Sequence, residues 1–198
     1  MDNIKGTSTI TIQTNKLKLY CPDATDSMSI ATNIYLLPVG DFDVRIDLVS
    51  YDKTVQGGNV SFRVACASMD NEIRTTYRIT GNVNFCETRW RINGGGVQTG
   101  NDNVVKPTKM RIVRDGDLLK TYEYSSGTWN LINSVDFGVF AAAVDRLKVY
   151  VFDNINQDGC TAYMDNLYYV DSCPSGATWS TTTSTTSSSS TTTTTAPP

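Results

Sequence analysis

The sequence predicts an all-β protein made of two antiparallel sheets packed face to face. The first observation is a period of two: hydrophobic and polar residues alternate in DFDVRIDLV, residues 41–49, and again in NVSFRVAC, residues 59–66. The second is a series of turn signals at short intervals, among them Gly81-Asn82. The third is that no window has a convincing 3.6-residue stripe. Roughly ten strands without intervening helices cannot form a parallel sheet, so they require two antiparallel ones.

The length and the charge of the chain limit its organisation and its partners. Of the 198 residues, residues 1–174 are enough for one domain with a proper core. The net charge of −3 and the pI near 4.9 argue against a nucleic-acid partner, because phosphate binding needs a positive field. No apolar run approaches the length of a membrane span, so membrane insertion is not expected.

The N-terminal residues 1–16, MDNIKGTSTITIQTNK, lack the apolar region of a secretory signal peptide. Three expectations remain open. A signal was removed and a start Met added, or the chain is a segment of a larger protein, or it is a virion component released without a signal.

Residues 175–198 are predicted to be a disordered or extended linker or stalk. The segment contains an unbroken run of Ser and Thr from Ser180 to Thr195, followed by Ala-Pro-Pro. Such a run cannot bury apolar surface and will not fold alone. Ser/Thr-rich segments with proline are typical O-glycosylation sites of large secreted or surface proteins. The tail therefore favours an extracellular, cell-surface or virion-surface location.

Two hairpins are predicted with a defined register. A two-residue turn at Gly81-Asn82 places Thr80 opposite Val83. Asp115-Gly116 fits a type I′ turn, which needs positive φ at both central positions and pairs MRIVR with LLKTY. In the first hairpin, the apolar face then consists of the cross-strand pairs Tyr77–Cys86, Thr75–Thr88 and Ile73–Trp90.

Three segments carry a resemblance to a known family. They are GDFDVRIDLVSYD (40–52), KMRIVRDGDLLKTYEYSSGTW (109–129) and VYVFDNINQDGCTAYMDNLYYV (149–170). In order and spacing the chain resembles the concanavalin A-like lectin/glucanase superfamily, whose jelly-roll sandwiches include laminin-G-type modules. The resemblance covers most of residues 8–172 and implies a jelly-roll β-sandwich. Because the superfamily holds sugar-binding modules, glucanases, lyases and adhesion domains, it implies a fold more closely than a function.

Catalysis is not expected. The glucanases of the superfamily carry an E-x-D-x-E pattern on one strand, which supplies a nucleophile and an acid. The three glutamates here, at 72, 87 and 123, do not lie two or four positions from another carboxylate within a strand. The chain has no His, which removes Ser/His and Cys/His arrangements. A lyase that uses Tyr with Arg or Lys stays open.

The polar face of the first hairpin supplies candidate ligand-binding residues. It carries Arg74 and Arg78 beside Arg89 and Arg91, and Arg63 of the preceding strand can join them. In an acidic protein such a cationic stripe suits an acidic glycan, because planar guanidinium groups bind carboxylate or sulfate. The alternative is a solvated sheet face whose arginines pair with the acids of residues 41–47.

Aromatic residues give a second set of candidates. Sugar-binding sites use exposed aromatic rings because a pyranose stacks its C–H face on them. By position, Tyr122, Tyr124 and Trp129 are the candidates near the Ser-Gly turn. Trp90 falls on the predicted core face and is interpreted as structural.

The resemblance also implies a structural calcium where the final strand meets the N-terminal segment. Asp165 would be a ligand, together with oxygen donors from near the N-terminus. Since calcium needs six to eight oxygens, one Asp predicts little. The alternative is that Asp165-Asn166 marks a bulge in an edge strand.

The five cysteines, at 21, 66, 86, 160 and 173, have no metal-like spacing. Cys160 and Cys173 would lie at opposite ends of one strand and cannot bridge. Cys21 with Cys173 is the most economical disulfide. The alternative is a set of small buried hydrophobic residues in a reduced protein.

Two functions follow as hypotheses. The first is a non-catalytic carbohydrate-binding module of an extracellular or surface protein, with polysaccharide or glycoprotein glycans as partners and calcium as the one expected cofactor. The second is a structural subunit or adhesion domain of a filament, stalk or virion appendage, with copies of itself as partners. In that case the segment STITIQ, residues 8–13, could serve as an exchanged strand.

Overall fold

The computed structural model describes residues 3–5, 9–13, 16–21, 27–37, 40–52, 58–80, 83–153 and 160–171. In these ranges the chain forms fourteen strands and one short 3-10 helix, Gly138–Ala143. The strands are β1 (Asn3–Lys5), β2 (Thr9–Gln13), β3 (Lys16–Cys21), β4 (Ser27–Leu36), β5 (Phe42–Asp52), β6 (Gly58–Ala65), β7 (Glu72–Thr80), β8 (Val83–Arg91), β9 (Gln98–Asn103), β10 (Lys109–Asp115), β11 (Leu118–Ser125), β12 (Thr128–Asp136), β13 (Arg146–Asp153) and β14 (Cys160–Asp171). The tail predicted for residues 175–198 lies outside the described residues.

The strands form two seven-stranded sheets. The first sheet has the order β1-β4-β13-β6-β7-β8-β9, and the second has the order β12-β11-β10-β5-β14-β3-β2. All pairings are antiparallel, and the chain changes sheet after β1, β3, β4, β5, β9, β12 and β13. This is a jelly-roll sandwich, and the predicted fold class is confirmed.

Alternating residues of both sheets build the core. Phe42, Val44 and Ile46 of β5 face Val60 and Phe62 of β6 across the sandwich, as the period of two predicts. Hydrogen bonds also connect the two sheets. The hydroxyl groups of Thr88 and Thr121 bond to each other, and the Cys21 thiol donates to the Val151 carbonyl oxygen at 3.3 Å.

The predicted register of the first hairpin is confirmed. Thr80 pairs with Val83, and the three predicted apolar pairs all occur. Trp90 packs against the core, in keeping with its structural interpretation. A two-residue turn fixes the pairing of every residue that follows it, which is why local sequence was sufficient here.

The second hairpin forms as predicted, but its turn type was wrong. Asp115 pairs with Leu118, so the central residues are Gly116 and Asp117. Gly116 has a φ of +59°, while Asp117 is not in the positive region. A positive φ at the first central position alone is the pattern of a type II′ turn, which favours glycine there. The next turn has positive φ at both Ser126 (51°) and Gly127 (83°), which is the type I′ pattern.

The predicted bulge in β14 is confirmed, although its place in the sheet was wrong. The register with β5 shifts between Asp165 and Tyr168, and Asn166 has a φ of +46°. β14 lies between β5 and β3 and is therefore an inner strand, not an edge strand. The edge position belongs instead to β2, which contains most of STITIQ and pairs with β3 of the same chain.

No helix in the described ranges is long and apolar enough to cross a membrane.

Candidate functional site

The outer face of the first sheet carries a concentration of charged residues, which we call the arginine face. β13, β6, β7 and β8 lie side by side there, and their outward positions alternate with the core residues. The face consists of Arg63, Glu72, Arg74, Arg78, Glu87, Arg89, Arg91, Lys148 and Tyr150. All four arginines that the sequence analysis put on this hairpin face are therefore brought together, and Arg63 joins them.

Four cations form a row across the strands of the arginine face. Lys148 pairs with Arg63, Arg63 pairs with Arg74, and Arg74 pairs with Arg89. Neighbouring strands are about 4.8 Å apart, so each cation has a like charge directly beside it. Like charges opposite one another destabilise a sheet unless something neutralises them.

Two buried carboxylates neutralise part of this row. Arg63 Nη1 lies 2.9 Å and Arg74 Nη1 lies 3.8 Å from Glu72. On the other side of the row, the Nε atoms of Arg78 and Arg89 lie 2.9 Å and 2.5 Å from Glu87. The alternative interpretation that the arginines pair with the acids of residues 41–47 is wrong, because those acids belong to β5 in the other sheet.

Positive charge remains in excess on the arginine face. The six basic side chains defined above share it with Glu72 and Glu87; Arg146, opposite Ala65, adds a cation that contacts Asp145 at 3.4 Å, and Asp102 of β9 pairs with Glu87 in the register. Burial lowers the pKa of Arg74, and the adjacent positive charges of Arg63 and Arg89 lower it further. Burial also lowers the pKa of Lys148, with Arg63 and Arg146 acting in the same direction. An anion placed on this row would relieve the repulsion.

Hydrogen-bond donors also remain on the arginine face. Among the described residues, the buried Nε atoms of Arg63, Arg74 and Arg91 have no hydrogen-bond partner. Buried polar atoms are normally paired, and a guanidinium group binds carboxylate or sulfate through two parallel hydrogen bonds. These Nε atoms have almost no exposed surface, so they are unpaired polar atoms within the face and not contact points for a ligand from solvent.

Aromatic rings hold two of these guanidinium groups in place. The Cζ atom of Arg63 lies 4.4 Å from the ring centroid of Tyr150, and that of Arg78 lies 4.6 Å from the ring centroid of Phe85. Stacking of this kind fixes the plane of the guanidinium group and reduces the entropy lost when it binds a ligand. Two of the guanidinium groups of the arginine face therefore stack on rings of the protein itself.

The three predicted aromatic candidates lie on the other side of the molecule. Tyr122, Tyr124 and Trp129 project from β11 and β12 on the outer face of the second sheet, which we call the aromatic face. The rings of Tyr124 and Trp129 are 5.2 Å apart in an edge-on arrangement. Because the sandwich separates the two faces, the aromatic candidates and the arginines cannot line one groove.

The protein's own cations cover the aromatic face. The Cζ atoms of Arg45 and Arg111 each lie 5.7 Å from the Trp129 ring, and Arg111 is 4.8 Å from the Tyr122 ring. Asp43, which is buried, accepts hydrogen bonds from both arginines, the shortest at 2.6 Å from Arg111. The ring surfaces are consequently engaged within the fold, which disfavours stacking of a sugar on Trp129.

The surroundings of Asp165 do not by themselves form a calcium site. Asp165 pairs with Asp47 across the strands, and one of its oxygens accepts from the backbone N–H of Asn166 at 2.8 Å. Asp47 is engaged by Lys109 Nζ at 3.0 Å and by the Asn166 side chain at 2.9 Å. In the described part of the chain, no three His, Cys, Asp or Glu residues form a metal-binding group. The oxygen donors expected from the N-terminal segment lie outside the described side chains, so calcium stays a prediction.

The predicted Cys21–Cys173 disulfide also stays a prediction, because Cys173 lies outside the described residues. Cys66 and Cys86 are buried free thiols. Hydrogen bonds from Ser68 and from the backbone outweigh the opposing effect of burial and lower the pKa of Cys66. Burial raises the pKa of Cys86 well above its usual value, and Glu123 and Glu87 add to the effect.

Lys148 and Tyr150 are the site residues that sequence reasoning did not assign. A local signal existed, since RLKVYVFD alternates outward Arg146, Lys148 and Tyr150 with apolar residues. The pairing of β13 with β6 joins segments far apart in the chain, and no turn between them indicates it. The row of cations was therefore visible in the sequence only as separate pieces.

No protein-family model and no curated protein sequence matches the chain, whereas solved structures do. A legume lectin-like domain from Entamoeba histolytica is 11% identical, with 87% of this chain and 90% of that chain covered and a TM-score of 0.62. The CBM2 module of Lactobacillus casei BL23 phage J-1 evolved Dit is 10% identical, with coverages of 86% and 83% and a TM-score of 0.56. The alginate lyase from Klebsiella pneumoniae is 11% identical, with coverages of 85% and 86% and a TM-score of 0.55.

At these identities the similarity shows the fold alone. The chain has the concanavalin A-like jelly-roll fold, as the sequence motifs predicted, and this fold occurs in a lectin-like domain, a carbohydrate-binding module and an enzyme.

Proposed function

We propose that this chain is a non-catalytic, lectin-like carbohydrate-binding module of an extracellular or surface protein, and that its arginine face binds an acidic polysaccharide. The observation that carries the proposal is the row of Lys148, Arg63, Arg74 and Arg89, in which like charges lie side by side on adjacent strands and are neutralised in part by Glu72 and Glu87. The lectin-like and carbohydrate-binding neighbours support a sugar ligand in general.

The row also suggests how the ligand lies. Cations on adjacent strands repeat every 4.8 Å or so, a distance close to the length of one sugar unit. A chain with an acid group on each sugar, lying across the strands, can therefore place successive carboxylates or sulfates beside successive cations. From Arg63 through Arg74 to Arg89 the exposure of the side chain rises from 9% to 12% to 31%, so among these three arginines the one on β8 is the most accessible to a ligand.

The environments of the glutamates support binding without catalysis. Glu72 and Glu87 are each held by two arginines. Glu123 is buried and accepts a hydrogen bond at 2.8 Å from the Asn130 side chain. General acid or base catalysis needs a carboxyl group that can reach the substrate and exchange a proton. Glu72 and Glu87 act instead as counter-charges to arginines, and Glu123 as a hydrogen-bond acceptor for asparagine side chains.

The proposal is tested by titrating the full chain with alginate, dextran sulfate and neutral dextran. We expect the two acidic polymers to bind, with affinity that falls as salt is raised, and neutral dextran not to bind. Lys148→Gln and Arg89→Gln should each weaken binding by about five- to tenfold, because each removes one charge-assisted contact. Lys120→Gln removes the same charge from the other sheet and should leave binding unchanged.

Three results would contradict the proposal. If Lys120→Gln weakened binding as much as the two arginine-face variants, the ligand would not bind specifically to the arginine face. Failure of folded protein to bind any polysaccharide would favour the alternative, a structural subunit or adhesion domain. Shortened or unsaturated sugar products would show that the module is an enzyme.

A further inference from the structure

Two cysteines face each other in the second sheet. Cys21 is the last residue of β3, Cys160 is the first residue of β14, and the register pairs them directly. Both side chains are buried. Directly opposite residues in antiparallel strands have Cα atoms about 4.5 to 5.5 Å apart, which lies within the range that a disulfide spans. Opposite residues also project from the same face of the sheet.

No other described cysteine has such a neighbour. Cys86 pairs with Tyr77 on one side and with Asn103 on the other. Cys66 follows β6, where its sulfur contacts the Ser68 hydroxyl and the Asn71 backbone N–H, both at 3.3 Å. The strand register therefore selects one pair of cysteines among the four that the structure describes.

We propose that Cys21 and Cys160 form a disulfide that joins β3 to β14. The oxidant is a low-molecular-weight disulfide, for which oxidised glutathione is the probe. The two protein thiols give up two protons and two electrons as one S–S bond forms between them. The S–S bond of the oxidant breaks, and it leaves as two thiols carrying those protons. Cys21 Sγ then turns from the Val151 carbonyl oxygen toward Cys160.

Burial determines when this bond forms. Thiol–disulfide exchange needs direct contact between a thiolate and the outside disulfide, and neither sulfur is accessible in the folded domain. The bond therefore forms while the chain folds, or when the ends of β3 and β14 open together. Once made, it is protected from reductants by the same burial.

The bond would encircle most of the domain. It closes a loop from residue 21 to residue 160, which contains β4 to β13. Long loops lose the most conformational freedom in the unfolded chain when they are closed, so the stabilisation is large for a single bond. It also competes with the bond predicted between Cys21 and Cys173, because Cys21 can take only one partner.

Peptide mapping of the wild-type full chain is the first test. The protein is refolded in a mixture of reduced and oxidised glutathione, alkylated, digested and analysed by mass spectrometry without reduction. We expect the Cys21 peptide joined to the Cys160 peptide, with Cys66 and Cys86 alkylated. Recovery of Cys21 joined to Cys173, or of alkylated Cys21 and Cys160, would overturn the proposal. This measurement needs no variant.

Thermal unfolding gives the second test. Prior reduction under denaturing conditions should lower the Tm of the refolded wild-type protein by roughly 5 to 12 °C. Cys160→Ser should show no dependence on the reduction step, whereas Cys66→Ser should keep the wild-type difference. An equal difference in Cys160→Ser would contradict the proposal, since the bond responsible would not include that residue.

Discussion

The two outer faces of the sandwich use the same residue types in opposite ways. On the aromatic face, Arg45 and Arg111 share the buried Asp43, and Lys109 contacts Asp47. On the arginine face, the six basic side chains outnumber Glu72 and Glu87, the two carboxylates that contact them among the described residues. The described cations of the aromatic face are matched by nearby carboxylates, while those of the arginine face outnumber the carboxylates that contact them. What distinguishes a candidate binding surface is the balance of its charges, not the number of its arginines or rings.

The largest expected effect is on the stability of the aromatic face, where one substitution removes a shared carboxylate. Asp43→Asn removes a buried carboxylate and leaves Arg45 and Arg111 without their shared counter-charge. We expect the free energy of unfolding to fall by about 3 kcal/mol, because an unpaired charge remains in a partly buried place. Urea denaturation measures this, with Asp115→Asn as a control whose exposed carboxylate, 63% accessible, contributes little. A small effect of Asp43→Asn would mean that solvent already screens the pair.

The second prediction changes the arginine face itself. Glu87→Gln removes a carboxylate held by Arg78 and Arg89 and should lower the free energy of unfolding by roughly 2 kcal/mol. The same change adds to the uncompensated positive charge, so affinity for dextran sulfate should rise several-fold. Asp115→Asn removes the same charge from an exposed place and should raise that affinity less. Weaker binding by folded Glu87→Gln would show that the glutamate positions the arginines more than it neutralises them.

The smallest expected effect is on the pH dependence of stability, and it comes from the buried thiol of Cys86 between the two sheets. The pKa of Cys86 is raised by burial, so the folded protein keeps this proton above pH 9.0, the ordinary value at which the unfolded chain releases it. Since the unfolded state then binds fewer protons, stability falls as pH rises through this range, by at most about 1.4 kcal/mol per pH unit for one group. Cys86→Val should reduce the slope in urea denaturation between pH 9 and 10. An unchanged slope would assign the alkaline effect to other groups, such as Tyr77, whose pKa burial also raises.

Strand pairings could be predicted from the sequence where the two strands are joined by a short turn, and not where they are far apart in the chain. The β7–β8 register, with Arg74 opposite Arg89, followed from one tight turn. The second turn was predicted with Asp115 and Gly116 as its central residues, whereas the central residues are Gly116 and Asp117. The sequence allows both positions for a two-residue loop, and local propensity does not separate them.

The larger failure came from sheet assignment. Alternation shows that Trp129 points away from a core, but not which sheet its strand joins. The aromatic and arginine candidates consequently fell on opposite sides of the molecule. Lys148 was missed for the same reason, since only tertiary structure places β13 beside β6.

The late entry of β13 into the first sheet has a consequence for synthesis. β6 to β9 emerge from the ribosome as one continuous block, yet β6 has no partner on its other side until residues 146–153 arrive. Until then a nascent chain exposes an open strand edge lined with Arg63 and with the apolar Phe62 and Val64, a surface that invites pairing with another chain. A premature stop before β13 would therefore yield an aggregation-prone fragment and not a smaller functional domain.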